Sequence, residues 1–313
     1  MCGSAENMNK RKLGTSSIEV SVVGLGCNNF GRRMYDLAPI RAVVHRALDL
    51  GVTLFDTAEI YGEGGKSEQF LGQVFGERRK DIVIATKFGY GGGASRSSIM
   101  RSVEGSLKRL RTDWIDLYQV HFPDPRTPIE ETMRALDELV RQGKVRHIGL
   151  SNHSAAQVRE AGMIAARQKL TPFVTCQDEY SLLDRGIERD LVPAMREHGM
   201  TLLPYRPVAS GLLTGKYRRG KPLPKGSRLA GSGHHASDVI NNRNWNMVEQ
   251  IQDVASRSGH SLLEIAFGWL LARPVTASVI AGATTPEQIE QNVRAGATQL
   301  SAADVAALDR ITQ

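Results

Sequence analysis

Apolar residues along this chain come in two patterns. Short, nearly continuous runs, β-branched or leucine-rich, occupy residues 22–26, 53–57, 82–87, 115–121, 145–151, 173–177, 201–205 and 277–282. Most are flanked by polar residues or glycine, as buried strands are. Between them lie longer amphipathic segments such as PIRAVVHRALDLG, SSIMRSVEGSLKRLRTD, PIEETMRALDELVRQGK and GIERDLVPAMREHG. Several of these close on a glycine or a basic residue, as helix C-termini prefer. Strand followed by helix, eight times over, implies parallel pairing and predicts an α/β chain closed as a (β/α)8 TIM barrel.

Three segments depart from the bare repeat. KLGTSSIEVS, ahead of the first run, reads as a short hairpin turned by Gly14 and its Ser/Thr cluster. Residues 211–238, after the seventh run, are rich in Gly, Pro, Ser and Lys and read as a long loop of the kind that covers a site. SAADVAALDRI, near the end, reads as an extra C-terminal helix opened by a capping serine. Neither an internal repeat nor a linker is evident, so residues 1–313 are expected to form one barrel domain, with 1–10 as a disordered leader.

Composition narrows the setting. Hydrophobic residues at 41% and charged ones at 23% of 313 residues describe an ordinary globular chain with a sizeable core. The three cysteines, Cys2, Cys27 and Cys176, are odd in number and widely spaced, which argues against a disulfide framework and a zinc site and suits a reducing compartment. The N-terminal residues hold no apolar signal region, and no run reaches the roughly 18 apolar residues of a spanning helix. Together these features predict a cytoplasmic protein without a membrane partner. The net charge of +7 is scattered through helices without aromatic interleaving, so a solvated basic surface is expected and no nucleic-acid partner.

Chemistry in such a barrel gathers where the strands end. The second run ends at Asp56, the third at Lys87 and the fourth at His121, and Tyr61 stands in the loop after the second. A phenol is a poor acid at neutral pH unless its anion is stabilised. A lysine ammonium within hydrogen-bond reach does this, and a carboxylate behind it keeps the ammonium charged and oriented. A neutral His121 would donate a hydrogen bond toward a carbonyl oxygen. The four make a proton donor facing a polarised carbonyl; none is placed to attack as a nucleophile, and a nicotinamide hydride is the simplest source of electrons. Hydrolase readings fare worse. Asp178 and Glu179 are consecutive and point in different directions, unlike a glycosidase pair. The first run has no HxH, and His234 and His235 lie in the long loop, where exposure is expected and no metal site.

Over nearly its whole length the chain resembles the aldo-keto reductases. The resemblance is carried by GVTLFDTAEIYGEGGKSEQFLG, IVIATKFG, SLKRLRTDWIDLYQVHFPD, GKVRHIGLSN, CQDEYSLLDR and PYRPVASGLLTGKY. It is greatest to the bacterial branch with short C-terminal ends that includes the inositol-operon reductases, and more distant to potassium-channel β-subunits. It implies an NADP(H)-dependent reduction of aldehydes or ketones, or the reverse oxidation, with Asp56, Tyr61, Lys87 and His121 as the catalytic tetrad and Tyr61 as general acid/base.

The resemblance also assigns cofactor contacts. Ser151, Asn152 and Gln177 match the residues that hold the nicotinamide carboxamide, and Tyr205 the aromatic that stacks on the ring, with Arg206 beside it. Ser210, Gly211 and Leu213 belong to a pyrophosphate cradle with Lys216 nearby; Gly282, Thr284, Gln288 and Asn292 belong to the adenosine end. Thr284 and Thr285 stand where many relatives carry a basic residue for the 2′-phosphate, which keeps NAD(H) open beside NADP(H). Asn29, Phe30, Phe88 and Phe122 are expected to wall an open, partly aromatic pocket for small carbonyl or alcohol substrates. The likeness to channel subunits leaves a second reading, a cofactor-binding regulatory or redox-sensing subunit with slow turnover.

Overall fold

The computed structural model describes residues 8–231 and 234–313, and side chains throughout except those of His234 and His235. Eight parallel strands form one sheet: β3 (Val23–Gly26), β4 (Leu54–Asp56), β5 (Val83–Phe88), β6 (Ile115–Val120), β7 (Val145–Ser151), β8 (Phe173–Gln177), β9 (Thr201–Leu202) and β10 (Val279–Gly282), in the order β10-β3-β4-β5-β6-β7-β8-β9. The sheet closes on itself: Leu202 N donates to Val275 O at 2.7 Å, Ala277 N to Leu202 O at 2.9 Å, and Ile280 N to Pro204 O at 3.1 Å. This is the expected barrel. The seventh strand is shorter than the predicted 201–205, because Pro204 has no N–H to give the ladder and only its carbonyl pairs.

The helices between strands are α1 (Leu37–Asp49), α2 (Lys66–Val74), α3 (Arg96–Leu110), α4 (Ile129–Arg141), α5 (Ala155–Gln168) and α6 (Leu191–Glu197), followed by α7 (His234–Val239), α8 (Asn242–Ser258), α9 (Leu262–Leu271), α10 (Pro286–Gly296) and α11 (Ala302–Thr312). Serine caps fix several starts: Ser95, Ser154, Ser261 and Ser301 each accept the backbone N–H three residues on. Ser154 and Ser261 complete capping boxes with Gln157 and Glu264. Since Ser154 holds that place, Ser151 and Asn152 are not the caps of α5.

The barrel has two apolar layers. The larger lies between strands and helices; the smaller, with Leu54, Ala85, Leu117 and Ile280, includes Leu13 and Val20 from the N-terminal hairpin β1 (Lys10–Lys12) and β2 (Glu19–Ser21). The hairpin turn needs Gly14, whose φ is +53° and whose added Cβ would lie 2.3 Å from Val174 O. With Leu13 and Val20 in that inner layer, chemistry is left to the strands' C-terminal ends.

Two expected boundaries shift. Met8 packs against the core and Lys10 opens β1, so the leader reaches at most residue 7; residues 1–7 lie outside the described part. The segment 211–238 is not a bare loop. Tight turns at 209–214 and 229–231 and the start of α7 lie in it, and Tyr217 and Leu229 are buried, Tyr217 Oη accepting from Leu229 N at 3.2 Å. The expected exposure of His234 and His235 concerns side chains outside the described part. Among the described residues no helix is long and apolar enough to cross a membrane.

Candidate active site

The strand register brings the four ionisable residues to one rim. Asp56 ends β4 in register with Gly26 and Ala85, Lys87 is the penultimate residue of β5, and His121 follows β6. The loop carrying Tyr61 is tied down on both sides: Thr57 N donates to Ala85 O, Glu59 N to Lys87 O and Tyr61 N to Ala58 O, all within 3.0 Å. Lys87 Nζ donates to Asp56 Oδ1 at 2.7 Å and to Thr57 O at 2.8 Å, and stands 5.0 Å from the centre of the Tyr61 ring. The Tyr61 and His121 rings meet edge to face with centroids 5.8 Å apart.

Lys87 is 1% exposed. Burial alone would lower its pKa, but the charge of Asp56, with Tyr61 beside it, outweighs burial and raises it, so the ammonium persists across the neutral range. Gln177 Nε2 donates a further 2.8 Å hydrogen bond to Asp56 Oδ1, fixing the carboxylate from the opposite side of the barrel. Burial, and then the positive charge of Lys87, push the His121 pKa down to about 3, so the imidazole is neutral. Its Nδ1 is buried without a partner among the described residues. Among the described residues Nε2 has no hydrogen-bond partner either, and a neutral imidazole N–H there can donate to a ligand oxygen.

Tyr61 and His121 open into a cavity of about 530 Å³ whose walls include Asn28, Asn29, Arg32, Tyr90, Phe122 and Tyr205. Two of the expected wall residues are absent from it. Phe30 and Phe88 are fully buried, Phe88 against Tyr118 with ring centroids 4.7 Å apart. The cause for Phe88 is strand alternation: Lys87 faces the barrel axis, so its neighbour faces the helices. Phe122 and Asn29 do line the cavity, and Tyr90, which the sequence reading did not single out, packs on both His121 and Phe122. No local pattern marks Tyr90, which sits in a glycine-rich loop. Arg32 and Arg228 also line it unforeseen; only the basic dipeptide in NNFGRRMY could have flagged the first.

The residues matched to a nicotinamide site fall into two groups. Ser151, Asn152, Gln177, Tyr205, Arg206 and Gly282 line the same cavity as Tyr61. Four of them form one network: Ser151 Oγ donates to Gln177 O, Asn152 Nδ2 donates to Ser151 Oγ and to His121 O, and Tyr205 Oη donates to Asn152 Oδ1. Asn152 itself holds a left-handed φ of +59°, and Arg206, at φ +51°, donates to Glu179 at 2.7 Å. Ser210, Gly211, Leu213, Lys216, Thr284, Gln288 and Asn292 lie outside that cavity. The side chains of Ser210 and Leu213 are buried, so only their backbone could meet a ligand. Residues 209–211 all have positive φ, the backbone of an anion-cradling turn. Lys216 lies beside Gly211, Thr284 donates its N–H and hydroxyl to Gln288 Oε1, and Asn292 Nδ2 is buried without a partner among the described residues.

A flat ring bound beside Tyr61 fits this site. Gly26 and Gly282 are paired in register and both line the cavity, leaving part of its floor without side chains. A Cβ on Gly282 would come within 3.1 Å of Asn29 Nδ2. Asp178, next to Gln177, is 7% exposed; burial raises its pKa to about 7 against the opposing hydrogen bond from the Asn152 backbone, and its carbonyl accepts from Tyr205 N at 3.0 Å.

Residues 22–313 match the model of the Aldo/keto reductase family. The chain is 36% identical over 301 residues to a protein described as a probable voltage-gated potassium channel subunit beta from Oryza sativa subsp. japonica, covering 92% of this chain and 91% of that one. It is 36% identical to the uncharacterized oxidoreductase YrpG of Bacillus subtilis, over 90% of this chain and 89% of that one. It is 32% identical to an L-glyceraldehyde 3-phosphate reductase of Escherichia coli, over 92% of this chain and 87% of that one.

Proposed function

The chain belongs to the aldo/keto reductase family, a family of oxidoreductases, and from that membership we propose that it is an NAD(P)H-dependent carbonyl reductase in which Tyr61 is the general acid. The observation that carries the proposal is the buried Lys87 ammonium, held 2.7 Å from Asp56 and 5.0 Å from the ring of Tyr61, both of which line the cavity. When bound, a reduced nicotinamide supplies the hydride.

Neutral His121 donates a hydrogen bond to the carbonyl oxygen and so favours the developing alkoxide. Tyr61 delivers the proton to that oxygen, and the fixed positive charge of Lys87 stabilises the phenolate left behind. Asp56 acts as a positioning residue: with Thr57 O it holds the ammonium, and Gln177 holds Asp56 in turn. The Ser151, Asn152 and Gln177 network would hold the nicotinamide carboxamide and Tyr205 would wall the ring. The turn at 209–213 with Lys216 would cradle the pyrophosphate, and Thr284, Gln288 and Asn292 would meet the adenosine. NADP(H) is the first choice by family likeness; the absence of a basic residue at Thr284 and Thr285 supports a weak preference over NAD(H).

Tyr61→Phe tests the assignment. The single-turnover rate of aldehyde reduction should fall at least about 100-fold, the usual range for loss of a general acid, while cofactor affinity read by protein fluorescence stays within about twofold. A variant that keeps near-normal turnover refutes it. The likeness to channel subunits supports a second reading, a cofactor-binding regulatory subunit. Turnover by the native protein slower than about once per minute, far below ordinary enzymes, would favour that reading.

A further inference from the structure

Three carboxyl groups stand by the wall that Ser151, Asn152, Gln177 and Tyr205 make, and two of them are neutralised. Asp56 holds Lys87 at 2.7 Å, and Glu179 holds Arg206 at 2.7 Å. Asp178, between Gln177 and Glu179 in the chain, is buried with no cation bearing on it among the described residues. Its Oδ2 has no hydrogen-bond partner there. The carboxyl is met by the backbone N–H of Asn152, which also donates to Gln177 O at 3.3 Å, and the Asp178 carbonyl accepts from Tyr205 N at 3.0 Å. Asp178 is therefore bonded to two of the four residues of that wall and adjoins a third. Its hold on the Asn152 N–H also helps keep that residue at its left-handed φ of +59°.

A buried carboxylate with one donor and no cation is costly. A nicotinamide ring is positively charged when oxidised and neutral when reduced, so only the oxidised form can offset that charge. Burial leaves the attraction poorly screened. The charge of Asp178 already reaches the wall: burial, Glu179 and then Asp178 raise the pKa of Tyr205 to about 12.

Resting on the nicotinamide site proposed above, we propose that Asp178 is a positioning residue that sets the balance between the two redox forms of the cofactor, its carboxylate holding the Asn152 backbone and favouring the cationic oxidised ring over the neutral reduced one. The preference changes with pH because the charge does. Burial lifts the Asp178 pKa to about 7, and the groups around it keep their charge through that range. On its own strand end stand Cys176, whose thiol burial pushes far up, and Glu179, paired with Arg206 from beyond β9. His153, next to Asn152, is held by burial down at about 4, and Tyr205 stays protonated. Beyond Gln177 lie Asp56 and Lys87, paired with each other. Affinity for the oxidised form relative to the reduced form is therefore expected to rise as pH rises through 7, and by reciprocity the oxidised form lowers the Asp178 pKa and releases a proton on binding.

The test is binding, not turnover. NADP+ and NADPH are each titrated into the cofactor-free protein from pH 6 to 8.5 and followed by protein fluorescence; both carry the same 2′-phosphate, so its own titration cancels in the ratio of their affinities. In the native protein that ratio should move at least about fivefold toward NADP+ across the range, the lower end of ordinary coupling between two sites. Asp178→Asn keeps an acceptor for the Asn152 N–H and removes the charge, so it should bind both nucleotides with a ratio that no longer follows pH. Calorimetry at pH 7 in two buffers of different ionisation enthalpy should show more proton release on NADP+ binding to the native protein than to the variant. A variant that binds neither nucleotide is answered by that native calorimetry, where equal proton release for NADP+ and NADPH would overturn the proposal. Parallel ratios in native protein and variant would overturn it while leaving the reductase reading intact. Failure of the native protein to bind any nicotinamide nucleotide would remove both.

Discussion

The buried carboxyl of Asp178 gives stability a pH dependence that can be worked out in advance. Its side chain is 7% exposed, its Oδ2 has no partner among the described residues, and burial lifts its pKa from the usual 3.8 to about 7. The proton is therefore bound more tightly in the fold than in the unfolded chain. Stability from this group is fully present below about pH 4, and it is lost as pH rises to about 7. At about 1.4 kcal/mol for each tenfold change in proton affinity, the whole loss is about 4 kcal/mol, of which about 3 kcal/mol falls between pH 5 and pH 8.

Asp178→Asn removes the titration and little else. The measurement is urea unfolding of the cofactor-free protein and the variant at a series of pH values from 5 to 8. The native protein should lose about 3 kcal/mol more than the variant across that range. His121 and His153, which burial holds down to about 3 and about 4, are common to both proteins, so the difference isolates Asp178. Parallel pH profiles would refute the reasoning and mean that the carboxylate is solvated or paired in solution.

Two further outcomes follow from the same site. Lys87→Met leaves Asp56 a buried carboxylate without its cation and should cost about 3 kcal/mol in urea unfolding besides abolishing rapid reduction. The double variant Asp56→Asn, Lys87→Met should regain most of the stability and none of the activity, and a double variant no more stable than Lys87→Met would argue against the pair. Thr284→Arg should raise the ratio of NADP(H) to NAD(H) affinity at least about tenfold in fluorescence titrations; an unchanged ratio would mean that position 284 does not face the 2′-phosphate.

How much of this was legible in the chain depends on the range of the interaction concerned. All eight barrel strands, the hairpin and the final helix could be read from periodicity and caps, because a strand buried on both faces and a helix buried on one leave local signatures. The alignment of Asp56, Lys87 and His121 was equally readable, since parallel strands in register must end at one rim. Side-chain direction was not read correctly at Phe88, although the alternation that turns it away from Lys87 is itself a sequence rule.

Tertiary structure alone decided the rest. Gln177 reaches Asp56 across 121 residues of chain, and Arg32, Arg206 and Arg228 meet only because three loops fold over the same opening. The elevated pKa of Asp178 comes from enclosure, which no neighbouring residue in the sequence reports. Periodicity records which face of an element avoids water. It carries no record of which distant groups that avoidance brings together; at this rim burial first, and then the charge of Lys87, keep His121 neutral, and three loops make the cavity mouth cationic.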